Sequence, residues 1–314
     1  MNKQAKIFVA GHGGLVGSAI VRALISLGYK NLILKTRKEL DLLNQAEVNR
    51  FFANQKPDYV FLAAAKVGGI SANAQYPADF IYENLVIETN IIFAAYKNKV
   101  KKLIFLGSSC IYPRNCPQPI KEEYLLTSPL EKTNEAYAIA KIAGLKMCQY
   151  YNQQYGTKFI AVMPTNLYGP NDNFDLTSSH VLPAMIRKFH EAKIGGKKAV
   201  VLWGSGQPRR EFLHVDDLAT ALIFLINNYQ GQEIINIGSG RDLTIKELAN
   251  KIKRVVGYTG KITWDKSKPD GTPRKLLNVN RLNKLGWQAK MDLDRGLMET
   301  YNWFQKNSKI KYTK

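Results

Sequence analysis

The sequence has few cysteines, few acidic residues and no long apolar run. Its three cysteines among 314 residues are Cys110, Cys116 and Cys148. They form no C-x-x-C pair, so neither a disulfide framework nor a zinc site is predicted. No apolar run approaches the roughly 18 residues of a membrane span, and a first strand beginning near Lys6 leaves no room for a signal peptide. We therefore expect a cytoplasmic protein with no bound metal and no membrane partner.

The shortage of acidic residues gives the chain a strong positive charge. Forty-five lysines and arginines against 25 aspartates and glutamates leave a formal net charge of +20. A positive field can attract nucleic acid, but the lysines are scattered and form no tract interleaved with aromatic residues. We expect no nucleic-acid partner, and an anionic small substrate suits the charge equally well.

Short apolar runs followed by helix-like segments indicate alternating strands and helices. Residues 5–10 and 102–106 have the pattern of buried strands. The chain contains no linker rich in proline, glycine and serine, no low-complexity segment and no internal repeat. We predict an α/β fold, in which a Rossmann-like, doubly wound parallel sheet carries a smaller mixed α/β substrate-binding domain.

The change of domain is predicted near Tyr168, because the segments after it are shorter and more mixed. Residues 1–168 are expected to form the NADP-binding domain, and residues 169–314 to form most of the substrate-binding domain. Segments near 205–240 are expected to return to the first domain, where residues 233–237 would add a last parallel strand.

The first glycine-rich turn has the pattern G-x-x-G-x-x-G between a strand and a helix. Glycines permit a tight turn and a close approach of the backbone to a ligand, and the helix N-terminus offers free amides to a pyrophosphate. This position in the chain predicts a dinucleotide-binding site. Its predicted cofactor-binding residues are Gly11, His12, Gly13, Gly14, Leu15, Val16 and Gly17.

The residues after the second predicted strand bear on the choice of cofactor. An acidic residue at this strand's end usually holds the ribose of NAD, whereas a basic residue accommodates the 2′-phosphate of NADP. Arg37 stands there, beside Lys35 and Lys38, so NADPH is the predicted cofactor. Solvated surface charge is the alternative explanation. Asp41 and Leu42 complete this part of the predicted cofactor site.

A serine, a tyrosine and a lysine form the predicted catalytic centre. Ser108 follows an apolar strand, and Tyr137 and Lys141 are four residues apart in a helix-like segment, so they share one helix face. An ammonium stabilises a phenolate, and two hydroxyl donors can meet the charge that develops on a carbonyl oxygen. From the spacing alone, an exposed Tyr–Lys pair on a helix is the alternative.

Two predicted strands, residues 102–106 and 159–163, end at the same edge of the sheet. Ligands bind at the carboxyl ends of the strands in open parallel sheets. The predicted cofactor contacts at this edge are Leu106, Gly107, Ser108, Ser109, Lys141, Pro164, Thr165, Asn166 and Leu167.

Two predicted helices, residues 77–97 and 135–151, are apolar on more than one face. A helix that is apolar on two sides needs a second surface to cover it. We predict a homodimer through these helices, with complete burial inside one chain as the alternative.

These motifs together resemble the extended short-chain dehydrogenase/reductases that modify nucleotide sugars. The resemblance is carried by GHGGLVGSAI, FLGSSCIYP, NEAYAIAKIAG, MPTNLYGPNDNF, SSHVLPA and WGSGQPRREFLHVDD, and it extends over about residues 11–275. Within that family the strings are similar to those of NADPH-dependent 3,5-epimerase/4-reductases. The resemblance implies a nucleotide-sugar substrate, GDP-4-keto-6-deoxy-D-mannose.

Roles for the reacting residues follow from the same resemblance. It implies that Ser108, Tyr137 and Lys141 form the catalytic triad of the family. It further implies that Cys110 and His180 carry out the epimerisation, with His180 also close to the cofactor.

The resemblance also implies the contacts to the nucleotide sugar. These fall on Lys188, Trp203 and Arg210, and Arg209 beside Arg210 would suit a diphosphate because guanidinium groups bind phosphates bidentately. One position departs from the family pattern, since Asn278 stands where an aspartate is expected. A substrate contact through Asn278 would therefore use an amide.

Two other kinds of function remain open at this point. Another nucleotide-sugar epimerase or a dehydratase would use the same frame, although a dehydratase typically has Asp-Glu beside the catalytic hydroxyl, and the stretch after Ser108 has no such pair. An NADP-sensing regulator or a nucleic-acid binder is suggested by the charge. The intact triad argues against the latter, because a sensor has no need of it.

Overall fold

The structure, a computed structural model, describes residues 1–268 and 270–307. In chain order its strands are β1 (Ile7–Ala10), β2 (Leu32–Ile33), β3 (Tyr59–Leu62), β4 (Lys102–Leu106), β5 (Phe159–Pro164), β6 (Asn166–Tyr168), β7 (Ala199–Trp203), β8 (Arg209–His214), β9 (Ile235–Ile237), β10 (Asp242–Thr244), β11 (Lys261–Asp265) and β12 (Arg274–Lys275). Its helices are α1 (Leu15–Ser26), α2 (Gln45–Gln55), α3 (Ile70–Gln75), α4 (Pro77–Lys97), α5 (Glu135–Tyr155), α6 (Val181–Ile194), α7 (Val215–Asn228), α8 (Ile245–Val256), α9 (Asn280–Lys284) and α10 (Leu293–Asn307).

A parallel sheet in the order β2-β1-β3-β4-β5-β9 forms the centre of the described chain. Every neighbouring pair in it is parallel. Because β2 and β3 lie on opposite sides of β1, the strand order reverses there, and ligands bind at the carboxyl edge beside such a switch point. The predicted Rossmann-like fold is confirmed, and strand β9 pairs with β5 in this sheet.

Helices cover both faces of the central sheet and bury its apolar strands. On one face α1 and α7 pack through residues such as Ile20 and Leu222. On the other face α2, α4 and α5 pack through Phe52, Ile91 and Leu145. Two-sided burial explains why these strands are continuously apolar instead of alternating. Within the described ranges, no helix is long and apolar enough to cross a membrane.

A third hydrophobic cluster lies in the second half of the chain. It joins α6, α8 and α10 to β7 through Phe189, Leu248, Phe304 and Leu202. Two small sheets accompany it, one in which β8 pairs with β6, β10 and β12, and one formed by β7 and β11. The expected mixed α/β part is therefore present.

The division into domains near Tyr168 stays a prediction. The third cluster contains Tyr168 itself, while β9 lies in the central sheet. Residues 308–314 of the predicted second domain lie outside the described residues.

One predicted strand differs from the structure in length. Helix α4 has the predicted bounds, and Thr244 and Glu247 form a capping box at the start of α8. The apolar run at residues 31–35 predicts a longer second strand, but β2 is only Leu32–Ile33, because it is an edge strand whose ladder exists only opposite Ile7 and Phe8 of β1. Periodicity identifies apolar segments, but the neighbouring strand decides how much of each is paired.

Candidate active site

Ser108 lies directly beyond the carboxyl end of β4. The backbone N–H of Cys110 donates a hydrogen bond to the Ser108 hydroxyl at 3.2 Å, which starts a short 3-10 turn over Ser109–Ile111. This turn sets Ser108 and Cys110 side by side, two residues apart. It stands at the edge of the sheet where the strand order predicts a ligand.

The tyrosine and lysine lie in the first two turns of α5. Burial raises the pKa of the Tyr137 phenol, with further increases from Cys110 and Glu88, while a hydrogen bond from Ser108 opposes the rise. The Ser108 hydroxyl therefore lies close enough to the phenol to affect its pKa. The phenol is held in its protonated form, which suits a group that donates a proton.

Lys141 has a partner that the sequence analysis missed. Its Nζ lies 2.8 Å from Oε1 of Glu88 on α4, and 5.9 Å from the ring centroid of Tyr137. The expected lowering of the Tyr137 pKa by this ammonium is not seen, because burial and the Glu88 charge act in the opposite direction. No sequence signal pointed to Glu88, since its partner Lys141 is 53 positions away in the chain.

The Cys110 thiol is surrounded by cationic groups. Burial alone would raise its pKa, but the charge of Lys275, a hydrogen bond from Ser108, and Arg210 together lower the pKa below its usual value. Lys275 Nζ lies 3.6 Å from the Cys110 Sγ. A thiol with a lowered pKa forms a thiolate more readily, and the thiolate is the basic and nucleophilic form. Lys275 was not predicted as a site residue, although it lies near the end of the stretch that carries the family resemblance.

His180 precedes α6 and faces the same cation. Although the residue is exposed overall, desolvation of the imidazole lowers its pKa, and the charge of Lys275 lowers the pKa further. Lys275 thus acts electrostatically on both Cys110 and His180, whose roles in epimerisation stay predictions. Both effects favour the neutral imidazole, so His180 has to take up a proton before it can act as an acid.

A buried carboxylate connects the segments that carry Arg210 and Lys275. Glu211 on β8 is fully buried and accepts hydrogen bonds from the backbone N–H groups of Leu277 at 2.9 Å and Gly240 at 2.7 Å. These bonds connect β8, which carries Arg210, to the segment that carries Lys275. Sequence reasoning missed Glu211, because its donors are distant in the chain.

The predicted nucleotide contacts lie at the end of β7 and on α6. Trp203 is 55% exposed, and the Nζ atoms of Lys188 and Lys268 each lie 5.6 Å from its ring centroid. An exposed indole face flanked by cations can stack on a base and attract phosphate. The two arginines differ, since Arg209 is paired with Asp242 at 3.0 Å while Arg210 lies close enough to Cys110 to affect its pKa.

The side chains of three predicted contact residues form hydrogen bonds within the protein. Thr165 Oγ1 and Asn166 Nδ2 donate hydrogen bonds to the Glu211 carbonyl at 3.3 and 2.8 Å. Asn278 Oδ1 accepts a hydrogen bond from the Asn280 N–H at 3.0 Å, at the start of α9. Contacts from these side chains to a cofactor or substrate stay predictions.

The glycine-rich turn fits a dinucleotide. Gly11 has a φ of +81°, and a Cβ on Gly17 would lie 2.1 Å from the Gly11 carbonyl oxygen, so both positions require glycine. Among the residues that the structure describes, no side chain caps α1, so its first-turn amides are available to an anion. The Nδ1 atom of His12 is buried and has no hydrogen-bond partner in this described part of the chain. A turn with open amides and an unpartnered imidazole suits a phosphate group.

The predicted NADP-selecting residue is open to solvent. The Arg37 side chain is 72% exposed and lies 3.9 Å from Asp41 Oδ1. Leu42 contributes its carbonyl to a hydrogen bond from Asn90 at 2.9 Å. The role of Arg37 in selecting a cofactor with a 2′-phosphate stays a prediction.

Comparison with known proteins decides the family. The pattern of the Epimerase family, described as the NAD dependent epimerase/dehydratase family, matches residues 7–238. The chain belongs to this family. The family resemblance inferred from the motifs is thereby confirmed.

Several members of the epimerase/dehydratase family match almost the whole chain. GDP-L-fucose synthase 1 of Arabidopsis thaliana is 62% identical over 306 residues, which cover 98% of this chain and 95% of that protein. A GDP-6-OMe-4-keto-L-xylo-heptose reductase from C. jejuni has a TM-score of 0.94 and 41% identity, covering 98% of this chain and 99% of that one. A GDP-L-fucose synthetase from Naegleria fowleri bound to NADP has a TM-score of 0.91 and 30% identity, with 98% and 96% covered.

Proposed function

We propose that the protein is an NADPH-dependent enzyme that epimerises GDP-4-keto-6-deoxy-D-mannose at C3 and C5 and reduces it at C4, giving GDP-L-fucose. The observation that carries this proposal is the Cys110 thiol, whose pKa is lowered beside the Ser108–Tyr137 hydroxyl pair. A simple ketone reductase needs the hydroxyls but has no use for a thiol base. The 62% identity to a GDP-L-fucose synthase supports the same substrate.

The epimerisation uses the acidity that the ketone gives to its neighbours. The protons on C3 and C5 are both α to the C4 carbonyl. The Cys110 thiolate removes one of them, the C–H electron pair enters the enolate, and Ser108 and Tyr137 donate hydrogen bonds to the charged C4 oxygen. His180, once it has taken up a proton from solvent, gives that proton to the opposite face of the carbon, and the Cys110 thiol returns its proton to solvent to restore the thiolate.

Reduction uses the same oxygen. The chemistry expected of a bound NADPH is the delivery of a hydride to C4. The turn from Gly11 to Gly17 would hold its pyrophosphate, and Arg37 its 2′-phosphate. Tyr137 donates its proton to the C4 oxygen, and Lys141 stabilises the phenolate that remains. The raised pKa of Tyr137 keeps the proton in place until the oxygen becomes basic.

The GDP group is proposed to lie across α6 and the ends of β7 and β8. Trp203 would stack on the base, while Lys188 and Arg210 would bind the diphosphate. Since Arg209 is held by Asp242, Arg210 is the arginine of the pair that faces the sugar end of the site.

The assembly and location are further parts of the proposal. We expect a homodimer through α4 and α5, because both helices carry exposed apolar residues, such as Tyr82 and Tyr150. The cytoplasm is the expected compartment, since its reducing conditions keep a catalytic thiol free.

The deciding experiment is incubation with NADPH and GDP-4-keto-6-deoxy-D-mannose in D₂O, with the product identified by NMR. We expect GDP-L-fucose with deuterium at C3 and C5, and one NADPH oxidised per product. A product reduced at C4 without deuterium at those carbons would favour a reductase of the kind named for the C. jejuni protein. Turnover without NADPH oxidation would favour the epimerase or dehydratase alternative.

A further inference from the structure

A buried ion pair joins α4 to α5 beneath the reacting residues. The side chains of Glu88 and Lys141 are 1% and 3% exposed, and Glu88 Oε1 lies 2.8 Å from Lys141 Nζ. Lys141 belongs to the predicted triad, whereas Glu88 has no assigned role. A charge buried this completely requires a reason, because burial without compensation is costly.

The ion pair lies in a tightly packed environment. Within the described ranges, neither Oε1 nor Oε2 of Glu88 has a partner that meets hydrogen-bond geometry, so the contact with Lys141 is an ion pair. A Cβ on Gly144 would lie 2.6 Å from Oε2 and 2.6 Å from the Phe105 ring, so the absence of a side chain at residue 144 makes room for the carboxylate. Lys141 Nζ lies 4.9 Å from the Phe105 ring centroid. The Glu88 carboxylate is therefore enclosed by α4, α5 and the Phe105 ring.

Stability alone is a poor explanation for the pair. Replacing a buried ion pair by apolar residues is often neutral or stabilising, because the desolvation of two charges offsets their attraction. The chemistry of a buried ammonium offers a better explanation for the pair. A buried ammonium without a counter-charge tends to lose its proton, and a neutral lysine could not stabilise a phenolate.

We propose that Glu88 is a positioning residue for the reaction, whose carboxylate keeps Lys141 charged and fixed between α4 and α5 beside Tyr137. This inference rests on the proposed function, because it assigns Glu88 to the proton donor of the reduction. Glu88 acts through Lys141 and touches neither the substrate nor the cofactor.

The charges near the pair determine the expected pH dependence. Burial raises the pKa of Glu88 itself while Lys141 opposes the rise, and the ionisable groups that face the pair are Tyr137 and Cys148 on α5. Glu88 raises the pKa of Tyr137, so the phenol keeps its proton to higher pH than it would without the carboxylate. Loss of Glu88 removes this effect, so the Tyr137 pKa falls and the alkaline decline in activity moves to lower pH.

The first test is the pH profile of kcat for Glu88→Gln. We expect kcat to fall about tenfold or more, part of the roughly 10²–10⁴ that an acid–base group contributes. KM for the sugar nucleotide should change little, and the alkaline limb should move about one pH unit or more to lower pH. An alkaline limb at the parent's pH would overturn the proposal.

A structural control separates this effect from a general loss of packing. Asn152 is also a buried polar residue of α5, and it is bonded to Thr157 and to the backbone of Phe159. Asn152→Ala should lower the melting temperature and leave the alkaline limb where it is. A shift of the limb equal to that of Glu88→Gln would assign the effect to helix packing and contradict the proposal.

The second test needs neither substrate nor cofactor. Melting temperatures of the parent, Glu88→Gln, Lys141→Met and the double variant form a cycle that measures coupling. Glu88→Gln should lower the melting temperature of the parent but raise it, or leave it unchanged, in the Lys141→Met background, where the carboxylate is otherwise unpaired. Equal losses in both backgrounds would overturn the proposal. An inactive parent would instead contradict the proposed function, while this cycle would still report whether the two charges act as a unit.

Discussion

At Cys110, burial and charge act in opposite directions on one thiol. Burial favours the neutral thiol, while Lys275 at 3.6 Å and Arg210 favour the thiolate, and the cations prevail. The two other cysteines show the difference that the cations make, because burial raises the pKa of both Cys116 and Cys148. Only Cys110 combines a lowered pKa with a position beside the hydroxyl pair. The chemistry at this scale therefore depends on charges brought from distant parts of the chain.

Cys110→Ala should abolish epimerisation while leaving cofactor binding intact. The methyl group cannot remove a proton, so solvent deuterium should no longer enter C3 and C5 of the sugar, a loss of about 10² or more in exchange rate. NMR of the substrate in D₂O measures exchange, and fluorescence titration measures NADPH affinity. Cys116→Ala is the matched control and should exchange at the parent rate. Undiminished exchange in Cys110→Ala would remove this residue from the role of base.

The turn between β1 and α1 is the element on which cofactor binding depends. Its glycines differ in what surrounds them. A Cβ on Gly17 would collide with the backbone of Gly11 and His12, whereas a Cβ on Gly13 would meet no atom of residues 1–268 and 270–307 within 4 Å. One glycine thus allows α1 to approach β1 closely, and the other leaves open space where a ligand is proposed to lie. Within one seven-residue turn, Gly17 thus meets a requirement of folding and Gly13 a requirement of binding.

Gly17→Ala should therefore destabilise the ligand-free protein, and Gly13→Ala should not. Overpacking of this kind costs about 1–3 kcal/mol, so thermal melting without cofactor should show a clear decrease for Gly17→Ala alone. Both variants should bind NADPH more weakly, Gly17→Ala because the turn moves and Gly13→Ala because its methyl occupies ligand space. Full NADPH affinity in Gly13→Ala would show that the open space is not used by the cofactor.

For the whole molecule, the unexplained feature is the outer face of α4 and α5. Their inner faces pack against the sheet and against each other, yet each helix also carries an apolar stripe at helical spacing that remains exposed or half-buried. The stripes consist of Tyr82, Val86 and Phe93 on α4 and of Ile139, Ala143 and Tyr150 on α5. Tyr82 alone is 63% exposed. A contiguous apolar surface of this kind commonly marks an interface.

Charged substitutions on these stripes should separate the proposed dimer. Tyr82→Lys together with Ile139→Lys would place charges at the centre of the contact, where burial without a partner is costly. Light scattering coupled to size-exclusion chromatography should report a dimer for the parent and a monomer for the variant. Ile25→Lys, at an exposed apolar position on α1, is the control and should leave the mass unchanged. A monomeric parent would contradict the predicted dimer.

Local sequence determined much of the fold. Apolar runs and capping residues specify α4 and the start of α8, because they act within a few turns of the chain. The strand–glycine turn–helix unit and the positions of Ser108, Tyr137 and Lys141 also follow from spacing and from the family resemblance. Strand length was harder to predict, since β2 extends only as far as its neighbour pairs with it.

The electrostatic state of the site was decided by tertiary structure. Glu88 and Lys141 are 53 positions apart, and Cys110 and Lys275 are 165 apart, so no local pattern could relate them. Asp242 forms an ion pair with Arg209, and Glu211 connects β8 to the segment that carries Lys275. The residues of each pair are again distant in the chain. A sequence specifies which groups can ionise. Which of them do so depends on burial and on neighbouring charges, and these exist only once the chain has folded.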